Sequence, residues 1–95
     1  MASGKEYLTF LLEGLGEEVS WRPMMGEFIL YFRGKVVGGV YDDRLLVKPT
    51  RSARALLPDA PRELPYPGAK EMLLVEDVEN KGFLQTLLEA VSKEV

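Results

Sequence analysis

Ninety-five residues, 46% hydrophobic and 28% charged, suffice for one globular core and are too few for two. The chain has no cysteine and no histidine, which excludes disulfides, thiolate and imidazole metal sites, cysteine nucleophiles and histidine-based triads. The net charge of −3 is uneven: Arg22 to Arg62 holds eight basic against four acidic residues, a balance that favours nucleic acid or an acidic partner only mildly.

In chain order, Met1 to Glu6 lacks a basic region followed by an apolar core, and no stretch nears the ~20 apolar residues of a membrane span. The expectation is a cytoplasmic protein with no membrane partner. Ser3 and Glu6 fit a capping box, and Tyr7, Leu8, Leu11, Leu12 and Leu15 recur at helical spacing. This predicts an amphipathic first helix ending at Gly14 or Gly16. From Val19 the pattern turns to grouped β-branched and aromatic residues, and four short strands are expected: 19–23, 27–33, 35–41 and 44–48. Gly26, Arg33-Gly34 and Asp42-Asp43 are the breaks, short enough to make neighbours antiparallel. Phe28 to Phe32 is apolar at every position, which predicts a central strand covered on both faces by helices or by a partner. Gly38-Gly39 inside the next strand points to a bulge or a close approach.

Thr50 is placed to cap a short helix through Leu57 that carries Arg51 and Arg54 on one face. Residues 58–68 hold four prolines and a glycine and read as a rigid connector. Met72 to Val75 reads as a last strand. Asp77 or Asn80 then caps a final helix with Phe83, Leu84, Leu87, Leu88 and Val91 on its apolar stripe. The whole is one domain, 1–95, of α+β class, with a mostly antiparallel sheet in the order α-β-β-β-β-α-β-α.

Three segments then align with a known pattern: Arg22-Pro23-Met24-Met25-Gly26-Glu27-Phe28, the hairpin from Tyr31 to Val36, and Asp43-Arg44-Leu45-Leu46-Val47-Lys48. Together they resemble the N-terminal domain of the TfoX/Sxy family over nearly the whole chain. In place of that family's aromatic and second glycine stand Met25-Gly26-Glu27, and the expectation is a stand-alone domain of this type without the family's helical C-terminal domain. The resemblance implies a secretion-chaperone-like fold. It also implies a regulatory role as a protein-interaction module beside a transcription regulator, the best known members switching on competence genes.

Catalytic signatures are absent. Gly14-Leu15-Gly16 lacks the third glycine and the preceding strand of a dinucleotide fingerprint, and Gly34-Lys35 lacks the rest of a P-loop. Asp42-Asp43 reads as turn chemistry before it reads as a cation site. No catalytic residue, metal or cofactor is expected. Candidate binding residues are Arg22, Met25, Gly26, Tyr31, Lys48 and Tyr66. Arg22 and Lys48 sit near strand ends, where they suit an anionic group or a salt bridge to Glu27 or Asp43. Met24 and Met25 beside Trp21 suit a core or a permissive groove, which Tyr66 is placed to close. A homodimeric peptide binder, direct nucleic-acid binding, and a small-ligand site where Arg22, Tyr31 and Lys48 converge are the alternatives.

Overall fold

The computed structural model describes residues 4–95. Its elements are α1 (Lys5–Leu12), β1 (Val19–Met24), β2 (Glu27–Phe32), β3 (Lys35–Tyr41), β4 (Arg44–Val47), α2 (Arg51–Leu56), β5 (Arg62–Glu63), β6 (Met72–Leu74) and α3 (Lys81–Ser92). The class is α+β, and the expected element order recurs with one addition, β5. Proline explains why β5 escapes a reading of the sequence: Pro61 and Pro65 leave only three residues between them, of which two pair, Arg62 with Leu73 and Glu63 with Met72.

Three two-residue hairpins build the first four strands. Both turn residues have positive φ in each: 50° and 87° at Met25 and Gly26, 51° and 82° at Arg33 and Gly34, 53° and 55° at Asp42 and Asp43. This is the turn whose twist matches that of the flanking strands. The sheet runs β1-β2-β3-β4-β6-β5 and every pairing is antiparallel. One extra residue in β3 shifts the register, with Leu30 opposite Gly38 but Tyr31 opposite Val36. That bulge lets Val37 join the core.

The core lies between one sheet face and the helices. Leu8 and Leu11 of α1, Ala53 of α2, and Leu84, Leu87, Leu88 and Val91 of α3 pack with Phe28, Leu30, Phe32, Val40, Leu45, Val47 and Leu73. Phe28, Leu30 and Phe32 are buried, whereas Glu27, Ile29 and Tyr31 between them are half-buried. Of the two ways to cover β2 on both faces, helices are ruled out: β2 lies next to the edge strand, its second face carries no helix, and its unbroken apolar run conceals an alternation of period two.

Caps follow local chemistry. Thr50 accepts from the Ala53 N–H, and Asn80 accepts from the Phe83 N–H at 3.0 Å, while Asp77 makes a turn with the Glu79 N–H instead. Ser3, half of the expected capping box, lies outside the described residues, and Gly4 takes the N-cap position of α1 without a side-chain bond. The radius of gyration, 11.9 Å, is that of a chain of this length folded on one core. Among the described residues no helix is long and apolar enough to cross a membrane.

Candidate functional site

The sheet face away from the helices carries Arg22, Tyr31 and Lys48 of the candidate residues. The pairs Ser20–Tyr31, Arg22–Ile29 and Met24–Glu27 point to it, because the intervening Trp21–Leu30 pair serves the core side. One row across this face runs Arg22, Ile29, Gly39, Leu46, Leu74. A neighbouring row runs Ser20, Tyr31, Val36 and then Lys48, whose N–H donates to the Val37 carbonyl at 3.0 Å.

Over the β4 and β6 end the proline-rich loop folds back and makes a cleft of about 600 Å³. Its sheet side is Val36, Gly38, Tyr41, Lys48 and Pro49, and its loop side runs from Pro65 to Met72. Local sequence dictates how the loop presents Tyr66. Pro67-Gly68 forms a turn with Gly68 at φ +87°, closed by the Ala69 N–H on the Tyr66 carbonyl at 3.2 Å. Pro65 is buried beneath, and the Tyr66 ring stands 6.3 Å from that of Tyr41. Arg44 fastens the same loop by an ion pair to Glu63 and a bond from Nη2 to the Leu64 carbonyl at 3.5 Å.

Tyr41 is 6% exposed. Its hydroxyl pKa is pushed up first by burial and then by Tyr66 and Glu27, so it is a neutral hydrogen-bonding group at physiological pH. The Glu27 carboxylate beside it accepts the Asp42 N–H at 3.1 Å.

Lys48 and Tyr66 line one cleft. Tyr31 borders it through its pairing with Val36, two strand spacings, roughly 10 Å, from Lys48. Arg22 lies on β1, three spacings or about 14 Å away, so Arg22, Tyr31 and Lys48 share a face without converging. Met25 and Gly26 form the β1–β2 turn; Met25 is 99% exposed and belongs neither to a core nor to a groove. Trp21 packs edge-on against Phe28 at 5.4 Å on the helix side. Tyr66 therefore closes the Lys48 cleft and not a methionine groove. Among the described residues neither Arg22 nor Lys48 has an ion-pair partner, the pairs being Arg33 with Glu18 and Glu89 and Arg44 with Glu63.

The basic middle of the chain forms no single face. Arg33 and Arg44 are paired, Lys35 donates to the Val95 carbonyl at 3.5 Å, Arg51 and Arg54 lie on α2 in the helical layer, and Arg22 and Lys48 lie on the open face. Sequence reasoning missed Tyr41, Ile29 and the Arg44–Glu63 pair. The turn-forming Pro67-Gly68 directly after Tyr66 was the available sign that this loop returns over the sheet.

No family model matches the chain, and no solved structure matches it. A protein of Spirochaeta aurantia, described as an uncharacterized 12.7 kDa protein in the trpE 5′ region, is 38% identical over 80 residues; the overlap spans 82% of this chain and 70% of that protein.

Proposed function

Since the chain belongs to the same family as the 12.7 kDa protein in the trpE 5′ region of Spirochaeta aurantia, whose name carries no activity, we propose from the geometry that it is a non-catalytic protein-interaction module acting in the cytoplasm. One observation carries the reading: a six-stranded sheet leaves one face without helices, and near β1 that face presents Arg22 exposed and Ile29 and Tyr31 half-buried. Mixed aromatic, aliphatic and arginine surface of this kind is what protein interfaces use. The resemblance of residues 22–48 to the TfoX/Sxy N-terminal domain supports a partner among transcription regulators. The test is recovery of partners on the tagged chain with and without nuclease. A protein retained after nuclease and lost when Arg22→Glu and Tyr31→Ala are combined supports the reading; no reproducible macromolecule on the unaltered chain ends it.

The outer edge of β1 favours a second reading, a homodimer gripping an extended peptide by strand addition. Among the described residues nothing pairs with that edge of Val19–Met24, although Pro23 lacks one of the donors an added strand needs. A strictly monomeric mass at high concentration by light scattering removes it.

A further inference from the structure

We infer that the cleft between Lys48 and the loop carrying Tyr66 is a binding site for a small aromatic carboxylate. This goes beyond the protein-interaction reading, which concerns the open face nearer β1, and stands or falls separately from it.

The space comes first. A cleft of about 600 Å³ falls inside the range of small-molecule sites, which combine a largely apolar wall with few polar groups. Its walls fit that description: Tyr41, Tyr66, Val36, Pro49 and Pro65 supply ring and aliphatic surface. Tyr66, 52% exposed at the rim, offers a ring to a planar ligand, a contact that aromatic pairs favour.

Charge selects the ligand's other end. Lys48 is half-buried, and its backbone is held on both sides, its N–H by the Val37 carbonyl at 3.0 Å and its carbonyl by the Thr50 N–H at 2.8 Å. Among the described residues no carboxylate forms an ion pair with it, although Glu71 lines the same cleft. An ammonium without a counter-ion is stabilised by an anion brought from outside. Lys48, Lys70 and Glu71, the charged groups of the lining, leave one positive charge, which a monoanion matches. Arginine, the residue whose fork suits phosphate, is absent from the lining. The ligand class is thus a planar ring with one carboxylate.

The test is a titration of the ¹⁵N-labelled full chain with benzoate, benzamide and acetate, followed by amide shifts. Benzoate is expected to move the Val36, Lys48, Tyr66 and Ala69 amides saturably, with benzamide and acetate each weaker by at least about tenfold. Lys48→Gln should weaken benzoate by about tenfold, Lys48→Arg should retain it, and Lys35→Gln, whose ammonium donates to the Val95 carbonyl away from the cleft, should leave it unchanged. Circular dichroism checks that each variant is folded, and Lys48→Arg keeps the test decisive if Lys48→Gln is not. Overturning results are no saturable shift in the cleft up to about 10 mM benzoate, benzamide binding as well as benzoate, or Lys48→Gln binding as the parent does.

Discussion

The ring of Tyr41 fills the space over Gly39 that a side chain would need. A Cβ at position 39 would stand 2.6 Å from Tyr41 Cε2 and 2.7 Å from the Phe28 carbonyl oxygen. The ring can swing aside, but the neighbouring strand's backbone cannot, so Gly39→Ala acts as overpacking and is expected to cost ~1–3 kcal/mol in urea unfolding. It should also displace Tyr66 through the aromatic contact and alter its fluorescence. Gly34→Ala is the control. Nothing lies within 4 Å of its Cβ position, yet its φ of +82° confines the cost to backbone strain of ~1 kcal/mol, with Tyr66 untouched. Equal effects on Tyr66 from both variants would refute the proposed linkage.

Lys81 completes the wrong helix. It opens α3, where a cation is unfavourable to its own helix dipole, but its ammonium donates to the Phe10 carbonyl at 2.7 Å and the Leu11 carbonyl at 3.1 Å and sits 4.5 Å from the Phe10 ring centroid. The last turn of α1 has no basic residue of its own, so Lys81 supplies the positive charge that a helix C-terminus favours. Lys81→Met keeps the stem and is expected to cost ~1 kcal/mol. Hydrogen exchange at Leu11 and Leu12 should rise more than exchange at Leu87 and Leu88; uniform acceleration would mean that Lys81 serves α3 instead.

How far the sequence could be read divides along physical lines. Hairpins with two-residue turns and helices with apolar stripes are local, and Arg33-Gly34, Asp42-Asp43, Thr50 and Asn80 were readable because their own backbone demands them. Which face of β2 is covered is not local. Ile29 and Tyr31 are as apolar as their buried neighbours, and only the placement of all three helices on one side tells the two sets apart. The same holds for the site. Tyr66 was readable as a groove-closing aromatic, but its groove depends on how the loop returns over Tyr41. Met25 misleads for the opposite reason: a large apolar residue at a turn position with φ +50° points to solvent whatever its hydropathy.

Arg44 and Glu63 join β4 to a two-residue strand that has little else to hold it. Their side chains are 30% and 32% exposed, and Arg44 Nε also donates to the Tyr41 carbonyl at 3.1 Å. Partial burial and the extra bond place the pair at the upper end of surface ion pairs, ~1 kcal/mol. A double-mutant cycle with Arg44→Gln and Glu63→Gln should give a coupling of about that size, smaller at 1 M salt. Exchange at Leu74, whose N–H donates to the Pro61 carbonyl at 2.9 Å beside β5, should rise in either single variant. Zero coupling would show that Pro65 packing alone retains the loop.

Tyr41 links the cleft to alkaline stability. Its hydroxyl pKa in the folded chain lies above the usual phenol value of about 10 because burial, then Tyr66, then Glu27 disfavour the phenolate. The folded state thus holds this proton more tightly than the unfolded chain does. The resulting stabilisation is complete below about pH 10 and is lost as pH rises through the folded value. Tyr41→Phe keeps the ring and removes the ionisation, so its urea midpoint should fall less steeply than the parent's above about pH 10. Tyr7, also raised by burial and by Asp43, is unaffected by that change and supplies a residual slope. Matching slopes in the two chains would place the Tyr41 hydroxyl in contact with water and remove it from the wall of the cleft.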